Sequence, residues 1–234
     1  YKAHLINLGI NIDFIAVADD VSSCACCMMI NDAHGNQIIG FYPGPNNPNR
    51  RSPETLPFID KIALAILGPE EPELTLRQGR ALFEHNVPLM VDPGQVISAF
   101  SRDQIRELLS LAQYLVVNHH EFEVLKTNAE LTDKEVFDQV AEVILTHGDK
   151  GVAIYSRDGI CQVDAVRDVK VDEVTGCGDA FRAGYAYGIL NNLNLKERGQ
   201  VGCIMAARNL ENPETQRYRI TATELAELRA TIYG

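Results

Sequence analysis

Residues 173–184 read EVTGCGDAFRAG, a glycine-rich turn that leads into a helix. Gly176 and Gly178 flank the small Cys177, so backbone N–H groups can approach an anion closely there. The helix predicted after the turn points the positive end of its dipole at the same place, which makes phosphate the natural ligand. Asp179 beside such a phosphate can accept the proton of an attacking hydroxyl. The alternative interpretation is a structural turn followed by an ordinary N-capping Asp.

Short apolar runs alternate with amphipathic segments along most of the chain. The predicted strands are 62–67, 88–91, 114–117 and 143–146, and a hairpin joins 152–155 to 161–166. The predicted helices are 76–85, 102–112, 133–142, 180–190, 195–209 and a last one after Thr221. Ser101, Thr132 and Thr221 each precede a Glu or Gln by three residues, which is the spacing of a capping box. This alternation predicts an α/β fold with a mostly parallel central sheet and flanking helices.

The N-terminal part of the sequence has a different pattern. Apolar runs at 24–30 and 37–42 enclose a turn-rich segment, which predicts a small β flap built as a hairpin. The Pro- and Asn-rich residues 43–51 predict a loop. We therefore expect two parts: a partial N-terminal helix with a β flap or lid at 1–50, and an α/β body at 51–234.

The chain opens in what the sequence predicts to be the middle of a helix. Lys2 follows Tyr1 directly in helical sequence, and the first stop signal is Gly9. We therefore expect that a segment upstream of Tyr1 has been cut away or lost. Because an uncovered apolar strand can pair with a strand of another chain, the flap also predicts a homodimer through its strands.

Composition excludes several classes of partner. The net charge of −11 argues against nucleic acids and anionic membranes, which need a basic field to displace counterions. No apolar stretch is long enough to span a bilayer and no export signal is visible, which predicts a cytoplasmic protein. Cys24, Cys26 and Cys27 lack the paired spacing of a zinc site and are expected to be reduced core or strand residues. His119 and His120 have no second ligand pair at a suitable spacing, so a transition-metal site is not expected.

Four polar segments lie at the ends of predicted strands or at the start of a helix. They are 92–95, 118–121, 146–151 and 175–179. In an open α/β sheet, ligands bind beyond the carboxyl ends of the strands. We therefore expect the four segments to converge on one crevice.

The stretch 173–184 resembles the C-terminal signature of the PfkB (ribokinase-like) carbohydrate kinase family, usually D-[TP]-T-G-[AC]-G-D-x-F-x-A-G. The resemblance implies a ribokinase-like fold. It also implies that Gly176, Cys177 and Gly178 form an anion hole for the transferred phosphoryl group. Asp179 is then the catalytic base.

Two further motifs of this family occur in the family's order. Asn118 and Glu121 match its N-x-x-E motif, which helps to hold Mg²⁺ and phosphate through water. The T-x-G-x-x-G nucleotide-binding turn is matched by 146–151. Together the motifs imply ATP and Mg²⁺ as cofactors. The nucleotide-binding residues that they imply are Thr146, Gly148, Gly151, Thr175 and Asn118.

The resemblance covers almost the entire chain and implies a substrate class. Residues 35–44 and 91–95 look most like the bacterial adenosine-kinase-like branch. This implies ATP-dependent phosphorylation of a hydroxymethyl group on an adenosine-like nucleoside or a sugar. A ribokinase-type sugar kinase and a truncated, catalytically inactive nucleotide-binding module are the alternatives. The second arises because the family's upstream substrate-binding Asp and Gly-Gly-Asn segment do not occur before Tyr1, which leaves open whether these residues alone are active.

The sequence departs from the family pattern at several positions. Glu173 stands where Asp is usual, which keeps a carboxylate, and Val174 replaces Thr or Pro. Glu214 stands where a Gly is common before Thr-Gln, so the adenine-binding loop can differ in backbone conformation. Lys150 and Arg182 either help to neutralise ATP phosphates or are solvated surface residues.

Overall fold

The computed structural model of the chain describes residues 1–15, 17–18, 23–31, 37–42, 44–45, 53–172 and 174–234. Contacts within the chain group its residues into two compact units, Tyr1–Arg50 and Arg51–Gly234. The predicted turn of the flap at 32–36 lies outside the described residues, as does the predicted loop at 43–51 apart from Gly44 and Pro45.

The first unit contains a short helix and a two-stranded sheet. Helix α1 is Lys2–Asn7. Strands β1, Cys26–Asn31, and β2, Gln37–Tyr42, pair antiparallel in a register that sets Ile30 opposite Ile38. The predicted N-terminal helix and the two strands of the predicted hairpin are confirmed.

The cysteine cluster of this unit is free and exposed. Cys26 and Cys27 lie in β1, as predicted, and Cys24 precedes it. The expectation of a place in the core is wrong, because the side chains of all three are open to solvent. A two-stranded hairpin does not bury its own side chains.

The second unit is built on one six-stranded sheet with the strand order β3-β4-β5-β6-β7-β8. The first four strands run parallel and the last two pair antiparallel. Their bounds are Ala65–Leu67 for β3, Leu89–Val91 for β4, Tyr114–Asn118 for β5, Glu142–Thr146 for β6, Val152–Ser156 for β7 and Gly159–Val163 for β8. The predicted α/β fold with a mostly parallel sheet is confirmed.

Seven helices of this unit flank the sheet in the described part of the chain. They are α2 Pro72–Glu84, α3 Arg102–Leu111, α4 His119–Ala129, α5 Asp133–Gln139, α6 Cys177–Leu190, α7 Leu195–Leu210 and α8 Ala222–Tyr233. Short 3₁₀ turns occupy Pro53–Thr55, Ile59–Lys61, Gly94–Ala99 and Gly148–Lys150. No helix among the described residues is long and apolar enough to cross a membrane.

Local capping explains most helix starts. The three predicted capping boxes form before α3, α5 and α8. Helix α2 begins at Pro72, earlier than predicted, because Glu71 accepts a hydrogen bond from the Leu74 N–H at 3.0 Å and proline suits the first helical position. Helix α5 ends at Gln139, earlier than predicted, because Glu142 already belongs to β6.

The sheet has an apolar core on each face. Alternate strand residues serve opposite faces: Leu115 belongs to the core under α2 to α5, and Val116 to the core under α6 and α7. This period of two is that of a strand buried on both sides. The sheet is therefore the middle layer of three.

Helix α6 packs directly against α7 through glycines. A Cβ at Gly202 would lie 2.7 Å from the Phe181 ring, and one at Gly184 would lie 2.8 Å from the Val201 carbonyl oxygen. Such distances leave no room for a side chain, so the two helix axes can approach closely only with glycine at these positions. This contact fixes α6, whose first turn reaches the candidate site.

Candidate active site

The carboxyl ends of the parallel strands open into a cavity of about 350 Å³. Its lining comes from the segments after β3 and β4, from β5 and the start of α4, from the end of β6 and from the first two turns of α6 with the residues before them. The lining residues are Pro69, Asp92, Gly94, Gln95, Val116, Val117, Asn118, Glu121, Thr146, Val174, Gly176, Cys177, Gly178, Asp179 and Arg182. The four polar segments expected to converge each contribute to it. Of the predicted site residues, Gly148, Gly151 and Thr175 are not part of this lining.

The glycine turn begins α6 without a side-chain cap. Gly176 is the N-cap residue with a φ of +79°, and a Cβ there would approach the Thr215 side chain to 3.0 Å. Since glycine has no side chain to offer, the N–H groups of the first turn can serve an external anion. The helix starts at Cys177, three residues before its predicted start. Asp179 therefore lies inside the first turn, and the alternative of an N-capping Asp is wrong.

The turn is supported from behind by the end of α7. Asn209 is 2% exposed and donates from its side-chain amide to the Thr175 carbonyl oxygen at 2.8 Å. Asn209 therefore supports the turn beside the cavity by holding the Thr175 backbone.

Asp179 shares its guanidinium partner with a buried carboxylate. Arg182 forms ion pairs with both Asp179 and Asp92. The Asp92 side chain is 4% exposed, whereas the Asp179 side chain is 76% exposed. Burial lowers the pKa of Arg182, and desolvation raises the pKa of Asp179. The sequence interpretation of Arg182 as a solvated surface residue is wrong, since its side chain is only 15% exposed.

The backbone fixes the second oxygen of Asp92. Its Oδ1 accepts a hydrogen bond from the Gly94 N–H at 2.8 Å. Gly94 has a φ of +51°, and a Cβ there would lie 2.7 Å from Cγ of Pro69. Only glycine fits this turn without strain. Asp92 therefore enters the cavity wall in one fixed orientation, a role that sequence analysis did not assign to it.

Asn118 and Glu121 cap each other at the start of α4. The Asn118 side chain accepts from the Glu121 N–H, and Glu121 Oε2 accepts from the Asn118 N–H, both at 2.9 Å. This capping box was missed in the sequence, although an Asn three residues before a Glu is a signal for one. The box uses one carboxylate oxygen, so Oε1 of Glu121 can still accept from a metal-bound water.

These residues fit a magnesium ion that is bound mainly by substrate. Mg²⁺ is usually held by one or two carboxylates together with waters and substrate phosphates. Glu121 and the neighbouring Asn118 both line the cavity. Among the described residues, no group of three or more His, Cys, Asp and Glu side chains could hold a metal without such help.

The turn after β6 needs its glycines for backbone reasons. Thr146, the last residue of β6, lines the cavity. Gly148 has a φ of +59° and Gly151 a φ of +88°, and a Cβ at Gly151 would lie 2.1 Å from the Val163 carbonyl oxygen. The His147 N–H donates to the Gly151 carbonyl at 2.8 Å and closes the turn.

Tyr218, which the sequence analysis did not single out, lies within electrostatic range of the site. Burial raises the pKa of Tyr218, and the negative charges that Cys177 and Asp179 carry when they are ionised raise it further. Burial also raises the pKa of the Cys177 thiol. Tyr218 belongs to no sequence motif. It comes near the site because of the course that the chain takes after α7.

An open α/β sheet with its cavity at the carboxyl ends of parallel strands belongs to the class of small-molecule-binding α/β enzymes. The family model described as pfkB family carbohydrate kinase matches residues 1–221. The chain therefore belongs to the pfkB carbohydrate kinase family, an ATP-dependent family of carbohydrate and nucleoside kinases. The expected family and ribokinase-like fold are confirmed.

Several members of this family are similar over most of the chain. The solved structure of a Burkholderia thailandensis nucleoside kinase in complex with inosine superposes with a TM-score of 0.92 at 30% identity and covers 100% of this chain and 77% of that one. The Methanocaldococcus jannaschii nucleoside kinase is 27% identical over 214 residues, 88% of this chain and 67% of the relative. A Lactococcus lactis ribokinase is 28% identical over 172 residues, 69% of this chain and 52% of the relative.

Proposed function

We propose that the chain transfers the γ-phosphoryl group of ATP to a hydroxymethyl group of a nucleoside, with Asp179 as the general base. One observation carries this proposal: Asp179 lines the same cavity as the uncapped glycine turn and the polar ends of β5 and β6. Phosphoryl transfer to an alcohol needs a base, an anion-binding group and groups that position the nucleotide.

Asp179 is both accessible and more basic than an ordinary aspartate. Its side chain is 76% exposed, and desolvation raises its pKa. The acceptor hydroxyl gives its proton to this carboxylate while the hydroxyl oxygen forms a bond to phosphorus. The bond between phosphorus and the bridging oxygen of ADP breaks, and ADP leaves with the bonding electrons.

The glycine turn stabilises the negative charge that the phosphoryl group carries. The N–H groups of Gly176 to Gly178 and the dipole of α6 act together at this point. Cys177 adds no negative charge, because burial raises the pKa of its thiol and keeps the thiol protonated. The three residues thus form the proposed anion hole.

The remaining predicted site residues serve the nucleotide in this proposal. Thr146 and the glycine turn after it, closed by Gly148 and Gly151, lie where β6 ends. Thr175 begins the anion turn, and its carbonyl oxygen is held by the Asn209 amide. When bound, Mg²⁺ offsets phosphate charge and orients its oxygens. Asn118 and Glu121 would receive it through water.

A nucleoside is the acceptor that we favour. The relative solved with inosine is 30% identical to this chain, and the M. jannaschii relative is a nucleoside kinase. Because one relative is a ribokinase, a free sugar is the alternative acceptor to a nucleoside. We further propose that the reaction takes place in the cytoplasm.

We also propose that the unit at 1–50 forms a flap through which two copies associate, and that 51–234 is the nucleotide-binding body. The flap strands present apolar side chains to solvent, with Met28 74%, Ile38 72% and Phe41 67% exposed. A hairpin of this composition favours strand pairing with a second copy. Light scattering should give a dimer mass that falls to the monomer in Ile38→Lys; a monomer mass for the parent chain contradicts the association.

Release of ADP by the chain with Mg²⁺ and ATP tests the proposed reaction. The acceptors are inosine, adenosine, other nucleosides, ribose and fructose, each compared with a blank without acceptor. We expect acceptor-dependent ADP that is highest with a nucleoside. Asp179→Asn should remove it, whereas Asp158→Asn, in the turn between β7 and β8, should not. ADP formation by Asp179→Asn at the parent rate contradicts the role of Asp179. A rate with every acceptor that equals the rate without acceptor contradicts the proposed reaction.

A further inference from the structure

The ion pairs of Arg182 connect two segments that lie far apart in the chain. One arm of the guanidinium contacts Asp179, and the other contacts Asp92 at the end of β4. The Asp92 side chain is 4% exposed and its second oxygen is held by the Gly94 N–H at 2.8 Å. Arg182 is therefore anchored by the buried Asp92, and its side chain lines the cavity together with Asp179.

The charges of this group explain how Asp179 can stay basic beside an arginine. An isolated Arg lowers the pKa of a neighbouring carboxylate. Here Asp92 offsets the charge of Arg182, so the two carboxylates and the guanidinium together carry one net negative charge. The raised pKa of Asp179 itself has desolvation as its cause, and the offset of Arg182 by Asp92 leaves that direction in place. Among the described residues, the other titratable groups around the cavity are Glu121 from α4, Cys177 from α6 and Tyr218 from the segment before α8.

We infer that Arg182 is a further catalytic residue and that Asp92 positions it. Before the reaction Arg182 pairs with Asp179; once Asp179 has accepted the hydroxyl proton, the same arm of Arg182 donates to the transferring phosphoryl group. The inference rests on the proposed role of Asp179 as the base.

The proton transfer itself explains why Arg182 changes its partner from Asp179 to the phosphoryl group. Protonation converts Asp179 from an anion to a neutral group and weakens it as an acceptor for Arg182. At that moment the phosphoryl oxygens are the strongest acceptors in the cavity. Asp92 keeps the guanidinium in place throughout, so the charge is already oriented when the oxygen–phosphorus bond forms.

Titration of Asp179 by ¹³C NMR tests the pairing in the protein without nucleotide. The carboxyl signal is assigned from its loss in Asp179→Asn. In Arg182→Gln the Asp179 pKa should rise, because the cation is gone. In Asp92→Asn it should fall, because the Arg182 charge is no longer offset. Opposite shifts distinguish charge positioning from a merely structural role, and unchanged values or shifts in the same direction overturn the inference.

Kinetics test the contact with the phosphoryl group. Arg182→Gln should lower kcat by roughly 10²- to 10³-fold with a small change in KM, and Asp92→Asn should lower it by about tenfold. Guanidinium at millimolar concentration should restore part of the rate of Arg182→Ala, whereas urea should not. Arg208→Gln is the matched control, since Arg208 pairs with Glu211 at the same spacing of three residues but lies outside the cavity. A full rate in Arg182→Gln overturns the inference.

Folding and function are separated by two controls. Circular dichroism melts show whether Arg182→Gln and Asp92→Asn are folded, and the nearly isosteric Asp92→Asn keeps an oxygen for the Gly94 N–H. Because the titration needs no turnover, it decides the pairing even if the parent chain forms no ADP with any acceptor. Absence of ADP formation with every acceptor would count against the proposed function. An Asp179 pKa that does not shift in the two variants would count against the pairing.

Discussion

The buried side-chain amide of Asn209 donates to the Thr175 carbonyl oxygen at 2.8 Å, which ties the end of α7 to the turn that begins α6. The turn holds Gly176, whose backbone at φ +79° sets the direction of the first N–H groups of α6. The proposed anion hole therefore depends on a residue that does not line the cavity.

Asn209→Ala should impair this turn. We expect a loss of about 1–3 kcal/mol in the free energy of unfolding, because the Thr175 carbonyl loses its buried partner. We also expect kcat to fall by roughly tenfold or more, since small displacements of positioning groups are costly. Urea denaturation and steady-state kinetics measure the two effects.

Asn212→Ala is the control for this prediction. The Asn212 amide makes the same kind of bond, to the Arg208 carbonyl at 2.6 Å, but closes the end of α7 itself. It should lose stability and keep its kcat. Equal losses of kcat in both variants would show that the Thr175 bond has no special role.

The pH dependence of kcat/KM should reveal Asp179. Desolvation raises its pKa, and a general base must be deprotonated. Activity is therefore present above the pKa of Asp179 and is lost as the pH falls through it, and this acid limb should lie above the range of an ordinary Asp. The residual rate of Asp179→Asn should lack this limb. An acid limb of the same position in Asp179→Asn assigns it to another group.

Local signals predicted most of the fold. The capping boxes before α3, α5 and α8 depend only on residues three apart, so their starts could be predicted from the sequence. Helix α4 was missed because its first residues, Asn118 to Glu121, were interpreted only as a ligand motif. The same segment can cap a helix and bind a ligand, because both roles use oxygen-bearing side chains.

The candidate site was predictable where its residues are contiguous. The glycine turn and Asp179 occur in one stretch, and the structure brings them into one cavity with Asn118 and Thr146. The pairing of Asp92 with Arg182 depends on the distance between β4 and α6 in the folded chain, which no sequence spacing encodes. The support of Thr175 by Asn209 is tertiary for the same reason.

Gly202→Ala should destabilise the chain although alanine is the better helix former. A Cβ at Gly202 would lie 2.7 Å from the Phe181 ring. Overpacking of this kind costs about 1–3 kcal/mol, which exceeds the gain of about 0.5–1 kcal/mol from helix propensity. Thermal denaturation should therefore show a lower Tm.

Two variants control for this packing effect. Adding Phe181→Leu to Gly202→Ala should recover part of the lost Tm, because the smaller side chain gives room to the new methyl group. Gly68→Ala should change the Tm little, since a Cβ at Gly68 would meet nothing within 4 Å. A Tm for Gly202→Ala at or above that of the parent would show that α6 and α7 adjust without cost.

Glu121→Gln should separate the capping role of Glu121 from its proposed metal role. Glutamine can still accept the hydrogen bond that the Asn118 N–H donates to Oε2 at 2.9 Å, so α4 should keep its cap and the Tm should stay unchanged. The lost charge should raise the Mg²⁺ concentration for half-maximal rate by roughly tenfold.

Glu224→Gln, in the capping box of α8, makes the same change away from the cavity and should leave the Mg²⁺ dependence unaltered. A parent-like Mg²⁺ dependence in Glu121→Gln would reduce Glu121 to a helix cap, because the neutral amide would then serve as well as the carboxylate.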